Sequence, residues 1–223
     1  KPYVSTRPKT KFIGSDDQWD MATEVLKKAV IAAGLEYEID EGGGAFYGPK
    51  IDVKIKDALG RHWQCTTIQF DFNMSERFDM AFIGEDGKEH RPFMVHRALM
   101  GSLERFFGIL IEHYNGNFPL WLAPVQIEVI PIAERHNAYA RDLGASLRKL
   151  GFRVEVDDSN EKLGAKIRDA QIQKIPFTCV VGDKEVEQGG VSPRRYAGED
   201  LKLMPLESFV ALLGQEAALP YGA

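Results

Sequence analysis

At 223 residues the chain is long enough for two domains, each with a core of its own. Its apolar share of 44% and charged share of 27% are those of an ordinary soluble globular protein and exclude a fibrous or largely disordered chain. A net charge near −5 gives no bulk attraction to nucleic acid, so RNA binding has to rest on a local surface.

The opening KPYVSTRPKTKF is basic but carries no apolar stretch, and no window approaches 18 apolar residues. Neither an export signal nor a membrane span is expected, and a cytoplasmic setting fits. Cys65 and Cys179 are far apart and form no C-x-x-C pair, which argues against a disulfide framework or a zinc finger. The first residues read as a loose extended piece broken by Pro8 and Gly14, a cut edge with strands expected upstream. Ser15 or Asp16 then caps a helix with Trp19, Ala22, Val25, Leu26, Ala29 and Val30 on one face, and Gly34 ends it. Tyr37 and Ile39 alternate with acidic residues as in a half-buried strand.

Between residues 41 and 72, glycines flank AFY and Ile51, Val53 and Ile55 alternate into a turn at residues 57–60. A long strand follows from His62 to Phe72. Antiparallel strands with short turns suit a sheet with one packed and one working face. The polar residues Gln64, Thr66, Thr67 and Gln69 are compatible with a solvated face or with a pocket. Gln64 and Gln69 have opposite parity, so a bulge has to intervene for both to face one side. Residues 73–91 read as a loop, a short strand MAFIG and a turn at Glu85-Asp86-Gly87, with His90 at the surface.

The stretch PFMVHRALMGSLERFFGILIEHY, residues 92–114, reads as a buried period-two strand feeding an amphipathic helix. The apolar face of that helix is Leu103, Phe106, Phe107, Leu110, Ile111 and Tyr114. Two residues fit this packing poorly. Arg105 puts a cation in the first helical turn, where either an anion or a carboxylate such as Glu104 has to compensate. His96 shares parity with Met94 and Ala98 and is either a satisfied core histidine or a metal ligand.

Gly116, Pro119 and Pro124 mark a domain boundary near residue 122. Beyond it the pattern alternates: strand QIEVIPI, helix HNAYARDLGASLRKL, strand FRVEVDD, helix NEKLGAKIRDAQIQK, buried strand PFTCVVG, hairpin KEVEQGGVSPRRYA and a closing helix in LMPLESFVALLGQEAAL. That order predicts a mainly parallel sheet covered by helices, with an antiparallel edge.

MVHRALMGSLERF resembles motif 3 of the class II aminoacyl-tRNA synthetases in the form found in the threonyl-tRNA synthetases. AFYGPK and WQCTTIQFDF resemble the neighbouring active-site strands of that branch. DDSNEKLGAKIRDAQIQKIPF and VVGDKEVEQGGVSPR resemble the anticodon-binding domain shared by the threonyl, prolyl, glycyl and histidyl enzymes. The single Gly101 before the arginine ties the match to the threonyl branch, and His96 and Tyr47 argue against the prolyl one. The threonyl pattern carries glycine where this chain has Thr66.

The resemblance implies an overall α/β protein. Residues 1–121 would be an α+β portion of a catalytic domain with an antiparallel sheet, and 122–223 an α/β anticodon-binding domain with a mainly parallel mixed sheet. It implies ATP-dependent activation of L-threonine and transfer to the 3′ end of tRNA(Thr) by a homodimer. Arg105 would hold the terminal phosphates of ATP with Ser102 beside it, Lys50 would serve the reacting carboxylate and phosphate, Tyr47 would line the threonine pocket, and Gln64 and Gln69 would face the adenylate. Mg²⁺ would accompany ATP. His96 would be one of three protein ligands to a catalytic Zn²⁺, whose other ligands the family carries in an earlier segment. A site that bonds the threonine hydroxyl rejects valine but not serine, which the family leaves to a separate editing domain. Asn160, Arg168, Glu185 and Arg194 would meet anticodon bases, the Asn and Glu at base edges and the Arg by stacking or at phosphate. Those residues equally suit a solvated helix start and hairpin.

One histidine does not hold Zn²⁺, so this chain alone is expected neither to bind catalytic zinc nor to activate an amino acid. The rival reading is a non-catalytic, synthetase-like tRNA-binding accessory protein, which would be expected to lose Lys50, His96 and Arg105 together. A metabolic α/β enzyme lacks support from any glycine fingerprint or nucleophile motif.

Overall fold

Ser15 starts helix α1 (Asp16–Ala32) through a reciprocal pair of hydrogen bonds, in which its hydroxyl accepts the Gln18 amide and Gln18 Oε1 accepts the Ser15 amide. In the computed structural model, which describes residues 1–219, α1 belongs to the first of two compact units, Lys1–His113; the second begins at Tyr114. Trp19, Ala22, Leu26 and Val30 are its buried residues, spaced as one helical face, whereas Val25 at the margin of that stripe is exposed.

The first unit continues with β1 (Pro2–Ser5), β2 (Glu38–Asp40), β3 (Lys50–Lys56), β4 (His62–Asp71), α2 (Met74–Arg77), β5 (Phe82–Ile83), β6 (Glu89–His90), β7 (Met94–Ala98) and α3 (Leu103–Tyr114). Its main sheet has the order β2-β1-β3-β4-β7, antiparallel except where β1 and β2 run together. Val4, Ile51, Phe70 and Phe72 pack against α1 and form the core of this unit.

Several expectations change here. The strand 94–98 is not buried: β7 pairs only with β4 and ends the sheet, leaving Val95 56% exposed. Helix α3 buries Ile109, with Phe106, Leu110 and Tyr114 partly covered, while Leu103, Phe107 and Ile111 face outward on a neighbouring stripe. The apolar arc is wider than the contact, so periodicity alone did not choose between its halves. The loop expected at the start of residues 73–91 contains a short helix. Asp71 Oδ1 accepts the Asn73 and Met74 amides at 2.6 and 3.0 Å and starts the short helix α2, and the MAFIG strand reduces to β5 in a hairpin with β6.

The second unit contains β8 (Ile127–Pro131), α4 (Asn137–Lys149), β9 (Val154–Val156), α5 (Leu163–Ile172), β10 (Phe177–Val181), α6 (Asp183–Gln188), β11 (Gly190–Arg195), β12 (Met204–Pro205) and α7 (Leu206–Glu216). The sheet order is β12-β11-β10-β8-β9, with β8, β9 and β10 parallel and β11 antiparallel to both its neighbours. The parallel strands β8, β9 and β10 are the expected body of this mixed sheet, and β11 is the expected antiparallel strand, with the short β12 beyond it. Ile127, Val129, Phe177, Cys179 and Val181 face Leu143 and Leu147 of α4 and Phe209 and Leu213 of α7. Leu120 joins this core, and Arg153 ties the segment before it by donating to the carbonyls of Trp121 and Ala123.

The expected hairpin at KEVEQGG is a helix followed by a strand. Glu185 reaches back to the Gly182 amide at 2.8 Å, which favours a helical start, and Gly189 at φ +61° ends the helix in the left-handed conformation.

Candidate functional site

Strand register decides which side chains of the first sheet meet. Lys50 pairs with Gln69 and Gln69 with His96; Asp52 pairs with Thr67 and Thr67 with Ala98. These residues share one face, while Ile51, Val53, Ile68 and Phe70 point to the other, toward α1. The face turned from the core is therefore polar across three strands.

Gln64 joins that face through a bulge. Val53 stands opposite Thr66 and Lys54 opposite Gln64, leaving Cys65 as the extra residue. The slip restores the parity that the sequence lacks, and the Gln64 amide donates to Asp52 Oδ1 at 2.7 Å and to Thr67 Oγ1 at 2.9 Å. Thr66 is turned elsewhere and donates its hydroxyl to the Leu99 carbonyl at 2.6 Å. Cys65 is buried, which pushes its thiol pKa up against the opposing effect of Arg105.

Asp52 ties the group together. Its buried carboxylate accepts Thr67 Oγ1 and Gln64 on Oδ1 and holds the Lys50 ammonium at 2.7 Å on Oδ2. Three donors on one buried carboxylate fix the aim of Lys50 and Gln64. Tyr47 donates its hydroxyl to Gln69 Oε1 at 2.9 Å, which leaves the Gln69 NH₂ as the donor for a ligand. Gly48 brings Tyr47 close to β4, since a Cβ there would lie 1.8 Å from the Phe70 carbonyl oxygen.

His96 is not the core histidine among apolar neighbours that its parity allowed. It lies 2.7 Å from Asp71 Oδ2 and meets the Tyr47 ring edge-on, with ring centroids 6.2 Å apart. Among the described residues no three His, Cys, Asp or Glu side chains gather as a metal site. His96 nevertheless has the surroundings of a ligating histidine: one nitrogen engaged by a carboxylate and Nδ1 without a hydrogen bond among the described residues.

Arg105 makes no ion pair among the described residues. Its guanidinium lies over the Trp63 ring, 5.0 Å from the centroid, and Glu104 instead accepts the Ser102 hydroxyl at 2.8 Å. The pairing of Arg105 with Glu104 is thus excluded. Ser102 caps α3 by accepting the Arg105 amide at 3.3 Å. Neither residue is hydrogen-bonded to the Lys50, Gln69 and His96 row. Asp52 and Asp71 escaped the sequence reading, although Thr67, Gln69 and Asp71 alternate as polar residues and Asp52 follows Lys50 at strand spacing.

In the second unit, Asn160 borders a cavity of about 350 Å³ lined by Pro131, Glu134, Asn137, Asp158 and Lys166, beyond the C-terminal ends of β8 and β9. The Lys166 ammonium is buried and donates to the Asp157 carbonyl at 2.7 Å. Burial alone would raise the Asp157 carboxyl, but Ser159 and Lys166 hold it below its usual value. This network anchors the loop that carries Asn160. Arg168 is exposed on α5.

Glu185 differs from its expected role at a base edge, because both its oxygens are engaged, Oε2 by the Gly182 amide and Oε1 by the Ser192 hydroxyl at 2.6 Å. Burial works to raise its carboxyl, and these two bonds bring it below its usual value. Arg194 stands opposite Thr178 on β11, several residues from the Val181 end of β10 that leads to Glu185. Of the four anticodon candidates, Asn160 alone lines the cavity.

Comparisons with known proteins divide the chain along the same lines. Residues 9–114 match the model of the "tRNA synthetase class II core domain (G, H, P, S and T)", and residues 126–216 match the "Anticodon binding domain". The threonine–tRNA ligase of Anaeromyxobacter dehalogenans is 58% identical over 97% of this chain, and that of Aquifex aeolicus is 56% identical over 94%. The chain spans about a third of the length of these curated relatives, 33% in each case. Among solved structures, the RNA-binding domain of threonyl-tRNA synthetase from Cryptosporidium parvum is similar, with a TM-score of 0.87 and 34% identity over 96% of this chain and 54% of that one.

Proposed function

Because the chain belongs to the threonine–tRNA ligase family of class II aminoacyl-tRNA synthetases, we propose that it serves ATP-dependent activation of L-threonine and its transfer to the 3′ end of tRNA(Thr). The observation that carries this reading is the polar row of Lys50, Gln69 and His96 on one sheet face, with Tyr47 bonded to Gln69 and Asp52 holding Lys50. Lys50 is a compact cation on a rigid strand, suited to stabilise charge that develops on phosphate as the carboxylate attacks. Arg105, held over an aromatic ring and with no carboxylate paired to it among the described residues, is available to the terminal phosphates. Tyr47 would border the amino-acid pocket, and Gln69 would offer an amide donor to the adenylate.

His96 would be one ligand of a zinc ion, which when bound would act as a Lewis acid toward the amino and hydroxyl groups of threonine. Mg²⁺ would accompany ATP. From residue 122 onward the chain would bind the anticodon, with Asn160 at the cavity edge and Arg168 and Arg194 exposed for stacking or phosphate contact. Homodimerisation and a cytoplasmic location complete the proposal; no helix among the described residues is long and apolar enough to cross a membrane.

The deciding experiment is threonine-dependent ATP–pyrophosphate exchange, run on the purified chain and on a chimera in which it replaces the matching third of a full-length relative. The chain alone is expected to show no exchange while retaining tRNA(Thr) binding. The chimera is expected to be active and to lose at least about 100-fold on Lys50→Ala or Arg105→Ala. Full activity of both variants would overturn the assigned roles, and exchange by the chain alone would refute the need for further metal ligands.

A further inference from the structure

Asp71 is the most deeply buried carboxylate on the polar face of the first sheet, 2% exposed, and nothing in the proposed chemistry uses it directly. Its two oxygens have different duties. Oδ1 accepts the backbone amides of Asn73 and Met74, donors that cannot reverse their role, and Oδ2 lies 2.7 Å from Nε2 of His96.

We propose that Asp71 is a positioning residue that fixes His96 as its Nε2–H tautomer, so that Nδ1 carries the lone pair presented to a ligand. A carboxylate can only accept, so the ring nitrogen facing it has to hold the proton. The other nitrogen is then unprotonated, the state that a metal ion requires. The edge-on Tyr47 ring closes another side of the imidazole and limits its rotation. Asp71 thereby links α2 to the working face, because the carboxylate that starts the helix also orients the histidine one strand away. The metal part rests on the reading of His96 as a ligand; the tautomer does not.

Long-range ¹H–¹⁵N NMR of the ¹⁵N-labelled chain at pH 8, with His96→Ala identifying the resonance, reads the tautomer directly. Nε2 is expected at the protonated position and Nδ1 at the unprotonated one. Asp71→Asn gives a sharper prediction. The two backbone amides still need an oxygen, so the side-chain NH₂ faces the ring, Nε2 has to accept, and the proton moves to Nδ1. The tautomer therefore inverts while the backbone amide spectrum keeps its dispersion. An Nδ1–H or averaged ring in the parent chain would overturn the proposal whether or not the variant folds, as would an unchanged tautomer in a folded Asp71→Asn.

Zinc analysis of a full-length relative separates the two levels of inference. In the chimera that carries this chain in place of that relative's matching third, Asp71→Asn is expected to weaken zinc binding by about 10–100-fold, and His96→Ala to abolish it. Zinc retained without that histidine would sink the metal reading and leave the tautomer result standing. Zinc lost without the histidine but unaffected by the Asn change would instead remove the role given to Asp71.

Discussion

Glu128 shows what a single misplaced charge does inside a sheet. It alternates with the core residues Ile127 and Val129, so it points away from that core, yet it is buried and its Oε2 has no hydrogen-bond partner among the described residues. Burial first, and then the carboxylates of Asp157, Glu155 and Asp169, raise its pKa from 4.5 to about 7; Lys166 opposes them weakly because its ammonium is committed to Asp157. The folded chain therefore keeps a proton that the unfolded chain gives up. The contribution to stability is fully present below about pH 4.5 and is lost as the pH rises through about 7. At about 1.4 kcal/mol per pK unit the rise from 4.5 to about 7 amounts to about 3.5 kcal/mol. Glu128→Gln should remove that dependence and be the more stable protein at pH 8, as read from urea midpoints at pH 5 and pH 8. A variant as pH-sensitive as the parent would disprove this account.

Helices and strands were legible wherever one local pattern sufficed. Ser15 or Asp16 marked the start of α1, where the structure selects Ser15, and the alternation of Ile51, Val53 and Ile55 marked β3, because capping and pleating act within a few residues. Helix α3 was legible as a helix but not in its orientation, since Leu103, Phe107 and Ile111 are as apolar as the buried Ile109. Phe107→Lys should change the unfolding free energy by less than about 0.5 kcal/mol, whereas Ile109→Ala should cost about 3 kcal/mol; equal costs in a thermal melt would reverse the assignment of faces. The close approach of the Tyr47 loop to β4 can be tested in the same way. Gly48→Ala forces a Cβ against the Phe70 carbonyl, where backbone cannot yield easily, and should cost at least about 3 kcal/mol while freeing Tyr47 from Gln69.

For the whole molecule, the prolines suggest a boundary at residue 122, whereas the second compact unit begins at Tyr114. The intervening segment is not inert, because Leu120 belongs to the core of the second unit and Gln126 donates to its carbonyl at 2.7 Å. A fragment starting at residue 114 should be more stable than one starting at 122 by about 3 kcal/mol, the scale of losing one buried leucine. Identical chemical denaturation curves would place the functional boundary at the prolines instead.

Sequence alone determined most of the elements, the change of architecture between the two matched domains and the family resemblance, because periodicity, caps and motifs are written in neighbouring residues. It also singled out Lys50, Tyr47, Gln69 and His96 as candidates. Only the tertiary structure decided how they are held. The bulge at Cys65 turns Gln64 toward Asp52, register sets Thr67 beside Asp52 and Gln69 beside Lys50, and Asp71 meets His96 from the adjacent strand. Those contacts join residues 12 to 25 positions apart in the chain, and no local pattern in a single sequence specifies which strand lies beside which or by how many residues it is shifted.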